Sequence, residues 1–215
     1  MQYHWLNKKN NDNLIVFFAG WSFDYFPFGF LDCKNNDVLV VYDYNEITEL
    51  PDFKDYKHKT LIAWSMGVYI AYLLKDNFSN FDKRIAVNGT VYPVDDNYGI
   101  PHKTFDLTLK YAQIGLEGKF YKNVFNNDVL YERYTKNPVQ RTIENRVSEL
   151  HKLNKMIQSA NTEYEGEFYN KAIVGNNDKI IPTKNQLAFW KEKAKTVDCG
   201  HFPFYNYSSW DEICK

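Results

Sequence analysis

The stretch Leu61-Ile62-Ala63-Trp64-Ser65-Met66-Gly67-Val68-Tyr69 changes character at its middle. Thr60 to Trp64 is an apolar run of strand length. From Gly67 onward, Val68, Ile70, Ala71, Leu73 and Leu74 fall on the apolar side of a helix. Ser65 stands at the junction, with Ala63 before it and Gly67 after it. Strand, sharp turn and helix around a Ser is the context of a nucleophile elbow, here with Ala where the first Gly usually stands. Small residues suit those two positions because a tight turn brings strand and helix backbones together. An ordinary strand-to-helix turn with a capping Ser fits the same window. The partners that the rest of the chain offers to Ser65 must decide.

Further buried strands are expected at Leu14 to Phe18, Asp37 to Tyr42, Arg84 to Asn88, Phe168 to Val174 and Ala194 to Val197. Helical patterns at Met66 to Lys75, Pro182 to Lys193 and Tyr207 to Lys215 alternate with them, Pro182 taking a first helical position. Apolar strands without polar alternation, separated by helices, indicate a mostly parallel sheet covered on both faces, hence an α/β fold. Residues 95–167 break this alternation. They are charged and helix-like, with candidate helices at Lys103 to Leu116, Glu117 to Val124, Val129 to Thr135 and Thr142 to Ser159, too many for one crossover. The expected organisation is a core of residues 1–94 and 168–215 with a helical cap inserted at 95–167.

The chain has 215 residues, 44% of them hydrophobic, enough for one sizeable core. A formal net charge of −1 argues against a nucleic-acid partner. The sequence has no apolar run of membrane-spanning length and no signal-peptide pattern, so a cytoplasmic protein is expected. Cys33, Cys199 and Cys214 fit neither a disulfide framework nor a zinc pattern, and Cys199 reads as a neutral buried thiol.

A Ser hydroxyl needs a base to take its proton, and the base needs a partner that fixes its tautomer. Gly175-Asn176-Asn177-Asp178 follows one expected strand, and Val197-Asp198-Cys199-Gly200-His201 follows the last. Ligands of open α/β sheets bind at such strand ends. Singly, Asp178 is an ordinary turn residue and His201 an ordinary loop His. Together they give the order Ser65, Asp178, His201, which is that of α/β-hydrolases. A developing oxyanion would find donors in the N–H of Met66 and the N–H of Trp21, the latter in a loop opened up by Ala19 and Gly20. The aromatics Phe23, Tyr25, Phe26, Phe28 and Phe30 serve equally well as pocket wall or as loop packing.

The chain also resembles the BioG-type pimeloyl-[acyl-carrier protein] methyl ester esterases. The matching stretches are Phe17-Phe18-Ala19-Gly20-Trp21, Ala63-Trp64-Ser65-Met66-Gly67, Val87-Asn88-Gly89-Thr90-Val91-Tyr92-Pro93-Val94-Asp95, Tyr98-Gly99-Ile100-Pro101, Gly175 to Pro182, and Gly200-His201-Phe202-Pro203-Phe204. The resemblance implies hydrolysis of the methyl ester of pimeloyl-[acyl-carrier protein] to methanol and the free carboxylate. It implies Ser65, Asp178 and His201 as triad and Trp21 and Met66 as oxyanion-hole positions, with no metal or organic cofactor. Leu14 to Phe18 is the one strand expected before Trp21, and so short an N-terminus also suits this compact family. An acidic carrier protein would dock on a basic face, for which Arg133, Lys136, Arg141, Arg146, Lys152 and Lys155 are candidates, although Glu132, Glu144 and Glu149 lie among them. Two other readings use the same residues: a broader carboxylesterase or thioesterase on small acyl esters, and a non-catalytic hydrolase-fold binding module.

Overall fold

The computed structural model describes residues 1–160, 163–164 and 166–215. Its centre is a seven-stranded sheet in the order β1-β3-β2-β4-β5-β6-β7. The strands are β1 (Gln2–Asn7), β2 (Asn13–Phe18), β3 (Asn36–Tyr42), β4 (His58–Trp64), β5 (Lys83–Val87), β6 (Lys171–Gly175) and β7 (Ala194–Val197). All neighbours pair in parallel except β1, which runs antiparallel to β3 with Gln2 opposite Tyr42. The inner strands are buried on both faces. Val16, Phe17, Leu39, Val40, Leu61 and Ile62 are all closed to solvent, and each such side chain stabilises the fold by roughly 1.5–3 kcal/mol.

Two strands therefore precede Trp21, where one was expected. Gln2–Asn7 carries no apolar run. It is an edge strand with two exposed residues followed by four half-buried ones, so the pattern that betrays interior strands is missing from it.

Helices pack on the sheet and between its strands: α1 (Met66–Leu73), α2 (His102–Gly115), α3 (Tyr121–Phe125), α4 (Asp128–Thr135), α5 (Ile143–Ser159), α6 (Thr183–Trp190) and α7 (Trp210–Ile213). The segment between β5 and β6 is helical throughout its core, and a π-helical turn at Leu116–Phe120 joins α2 to α3. Asn127 caps α4, accepting from the Val129 N–H, and Thr142 caps α5, accepting from the Asn145 N–H. Of the expected cap segment, residues 161, 162 and 165 lie outside the described residues. Pro182 is the N-cap of α6, with ψ 127°, and not its first helical residue. The last helix is shorter than expected, because a 3₁₀ turn at Phe204–Asn206 and an extended Ser209 precede it. Among the described residues no helix is long and apolar enough to cross a membrane.

After β2 the chain moves to one side to form β3, then returns past β2 to form β4 on the other. This reversal makes a crevice at the carboxyl ends of β2 and β4, where open α/β sheets hold their ligands. The loop with Trp21 and the turn with Ser65 both open there.

Candidate active site

Ser65 joins β4 to α1 with φ 56° and ψ −127°, a conformation that costs a non-glycine residue on the order of 1–3 kcal/mol. The surroundings hold it there. Its N–H donates to the Val87 carbonyl at 3.0 Å, and its own carbonyl accepts from the Val68 N–H at 3.0 Å. A Cβ at Gly67 would lie 2.5 Å from the Phe18 carbonyl oxygen, so α1 can pack this close to β2 only with glycine at that position. Ala63 is still within the strand and keeps its methyl, fully buried.

Two other strand ends bring side chains to Ser65. His201, after β7, places Nε2 2.9 Å from Ser65 Oγ, and its Nδ1 lies 2.8 Å from Asp178 Oδ2. Asp178 follows β6. Its Oδ1 accepts from the Ile180 and Ile181 N–H groups at 2.8 and 2.9 Å, and Oδ2 also accepts from Gln186 Nε2 at 2.9 Å. Side-chain exposure is 3% for His201 and 0% for Asp178. A carboxylate can only accept, so it selects the tautomer with the proton on Nδ1 and leaves the Nε2 lone pair facing the Ser65 hydroxyl. Cys199 stands nearby, half-buried. Burial, then the charge of Asp178, pushes its thiol up to about 12, so it stays protonated at neutral pH.

Asn88 lies in one of the stretches that match the family, and its sequence context assigns it no role. The structure places it at the end of β5 with φ 41°, where its amide ties the loop after β6 to the loop after β7. Nδ2 donates to the carbonyls of Gly200 and His201, both at 2.9 Å, and Oδ1 accepts from the Gly175 N–H at 2.6 Å. Trp64 Nε1 also donates to the His201 carbonyl, at 2.8 Å. The only signal in the sequence is a polar residue closing an apolar strand. Asn88→Ala should cut turnover about 10²-fold, as expected when a catalytic group drifts by about 1 Å. Steady-state kinetics on a protein with native circular dichroism would check this, and full activity would refute it.

Among the described residues, neither the Trp21 nor the Met66 N–H meets an acceptor. Both belong to turns bordering Ser65, and a Cβ on Gly20 would come 3.0 Å from that of Ser65. The Trp21 indole is buried and donates to the Arg146 carbonyl at 2.7 Å.

Arg141 and Arg146 do not belong to an exposed basic face; their side chains are 7% and 4% exposed. Arg141 Nη1 pairs with Glu149 at 2.8 Å, and Nη2 lies 3.2 Å from Asp43 without an aligned hydrogen bond. Arg146 pairs with Glu117 and donates to the Tyr121 hydroxyl at 2.9 Å. Both cations are committed to partners far away in sequence or one or more helical turns away. Arg133, Lys136, Lys152 and Lys155 remain exposed, although the Arg133 guanidinium lies 4.0 Å from the centre of the Tyr205 ring.

Ser65 and His201 open on a cavity of about 420 Å³. Its walls include Trp21 and Phe23 from the sheet side and Phe105, Ala112, Leu116 and Phe120 from the helical segment. Of Phe23, Tyr25, Phe26, Phe28 and Phe30, Phe23 alone lines the cavity. Phe28 packs in the core against Phe17 and Phe204, and Tyr25 stacks on His4. Lys119 and Lys179 also border the space and are exposed; sequence reasoning singled out neither.

A family model described as pimeloyl-ACP methyl esterase BioG matches residues 1–213. The chain belongs to the BioG family. A malonyl-[acyl-carrier protein] O-methyltransferase of Bacteroides fragilis is 30% identical over 200 residues, covering 92% of this chain and 39% of that protein. The chain therefore spans well under half the length of that relative. The crystal structure of BioG from Haemophilus influenzae superposes with a TM-score of 0.90 at 28% identity, covering 100% of both chains. An α/β-fold hydrolase from Bacillus anthracis, 14% identical with a TM-score of 0.59 over 94% of this chain and 89% of its own, shares the fold. The architecture is that of an α/β-hydrolase, as expected, and the family is the one the sequence resembles.

Proposed function

We propose that this BioG-family chain is a serine esterase that hydrolyses the methyl ester of pimeloyl-[acyl-carrier protein], releasing methanol and the free carboxylate, with 95–167 acting as a cap over the site. The observation that carries the proposal is the Ser65–His201–Asp178 hydrogen-bonded chain, with links of 2.9 and 2.8 Å, opening on an apolar cavity. His201 Nε2 takes the Ser65 proton as Oγ attacks the ester carbonyl, and Asp178 steadies the imidazolium. The N–H groups of Trp21 and Met66 donate to the tetrahedral oxyanion, each worth about 3 kcal/mol of transition-state stabilisation. His201 then protonates the departing methoxide, which leaves as methanol. Water, activated by the same His, cleaves the acyl–Ser65 ester, and the proton returns to Ser65. No step needs a metal or an organic cofactor.

The apolar walls suit an aliphatic chain running from Ser65 toward the cavity mouth. The name of the Bacteroides relative, a methyltransferase acting on an acyl-carrier protein, supports a carrier-bound methyl ester as the substrate class. An acidic carrier would meet exposed cations, for which Lys119 and Lys179 beside the cavity, with Arg133, Lys152 and Lys155, are better placed than the buried Arg141 and Arg146. Three cysteines free of disulfides suit a reducing, cytoplasmic setting.

Turnover of pimeloyl-[acyl-carrier protein] methyl ester, followed as released methanol beside hydrolysis of p-nitrophenyl butyrate, tests the assignment. The carrier-bound ester is expected to give the higher kcat/KM. Turnover of the nitrophenyl ester alone would replace this assignment with the broader esterase, and turnover of neither would favour a binding module.

A further inference from the structure

The side chain of Gln186 is fully buried on α6. Its Nε2 donates twice, to Asp178 Oδ2 and to the Ile181 carbonyl, both at 2.9 Å. Turned over, the amide would set its oxygen against the same two acceptors, so its orientation is fixed. In that orientation Oε1 is buried and meets no donor. An orphan acceptor is a cost to folding that a Met of similar length would not carry. What the amide serves is the turn that presents Asp178. The Ile181 N–H binds Oδ1 of that carboxylate, while Oδ2 and the Ile181 carbonyl share the Gln186 NH₂.

Three more side chains pin α6 in place. Thr183 Oγ1 donates to the Gly175 carbonyl at 2.6 Å, Asn185 Nδ2 to the Gly99 carbonyl at 2.9 Å, and Trp190 Nε1 to the Gly89 carbonyl at 2.8 Å. Gln186 Nε2 is therefore held against Oδ2, the oxygen that also receives His201 Nδ1–H. Asp178 and His201 together carry one negative charge while Nε2 of His201 is free to accept from Ser65. They carry none once the pair has taken up a proton from solvent. A neutral donor aimed at Oδ2 favours the charged state, so it lowers the pH at which the pair takes up that proton, whichever of the two holds it. Around the pair stand the Cys199 thiol, which stays protonated, and Lys119, Lys179 and Asp198, which are exposed and screened by solvent.

We propose that Gln186 is a positioning residue that acts through Asp178: its amide holds the Asp178–His201 pair in the proton-accepting form and so extends turnover toward acid pH. This rests on the roles proposed above for Ser65, Asp178 and His201.

The test is the pH profile of kcat/KM for the full chain on p-nitrophenyl butyrate, between pH 5 and about 10, which does not depend on the carrier-bound substrate. Its acid limb reports the free enzyme. Gln186→Met removes the donor together with the orphan oxygen. The acid limb is expected to move up by about one pH unit, so that activity on it falls about tenfold. The plateau at higher pH is expected to stay within about threefold, because the Ile180 and Ile181 N–H groups still hold Oδ1. An acid limb that stays in place or moves down overturns the inference. So does a loss that is equal at every pH, which would mark Gln186 as structural support. If Gln186→Met does not fold, Gln186→Glu carries the test: it sets a second carboxylate beside the pair, which favours proton uptake further, and the limb is expected to rise by about two pH units. An unmoved limb in that variant overturns the inference. Turnover that survives Ser65→Ala would overturn both this inference and the esterase proposal, whereas Ser65-dependent turnover with an acid limb indifferent to Gln186 overturns this inference alone.

Discussion

Ser65→Ala is expected to lower turnover of every ester the protein accepts by about 10⁶-fold, leaving only what the oxyanion donors and the cavity supply. Alanine meets the same strain at φ 56° as serine does, and removing Oγ leaves the backbone bonds to Val87 and Val68 in place. The melting temperature should therefore stay within a few degrees of wild type. His201 loses one partner and keeps Asp178. Labelling with a fluorophosphonate, which forms a covalent bond only with an activated serine, should vanish with turnover. More than about a hundredth of wild-type activity in this variant would exclude Ser65 as the nucleophile, since a lost nucleophile leaves far less than that.

Asp178→Asn is expected to cost about 10⁴-fold in kcat with little change in KM. The amide oxygen would take the place of Oδ1, where the Ile180 and Ile181 N–H groups require an acceptor. That turns the NH₂ toward His201 Nδ1 and Gln186 Nε2, both reached by Oδ2 in the native chain. His201 must then place its proton on Nε2, facing the Ser65 hydroxyl it should deprotonate. A kcat within tenfold of wild type would show that Asp178 does not set the tautomer. Nitrogen-15 chemical shifts of the His201 ring would report the tautomer directly.

The parts of this molecule legible in its sequence are those whose cause is local. Interior strands such as Val38–Val41 announce themselves because burial on both faces leaves no room for polar residues. Ser65, Asp178 and His201 could be brought together on paper because Ser65 and Asp178 each follow an apolar run, His201 follows the last short strand, and parallel strands gather their carboxyl ends on one edge. β1 was illegible because an edge strand tolerates Gln2, Tyr3 and His4. Arg141 and Arg146 looked like solvated helix charges because pattern along a helix says nothing of partners on other elements. Their burial is explained by Asp43, Glu117 and the Phe23 carbonyl, each supplied by a different part of the chain. Asn88 was hidden for the same reason, since its contacts are 87 to 113 residues away.

On the proposed esterase reading, the walls of the cavity also limit what the site can refuse. Trp21, Phe23, Phe105, Leu116 and Phe120 offer an acyl chain contact but almost no hydrogen bonds along its length. An apolar wall separates two chains differing by one methylene by only about 10- to 200-fold. A neighbouring chain length would therefore be processed as a slow substrate and not rejected. Fidelity would be decided upstream, by which methyl esters are made and which carriers reach the mouth of the cavity.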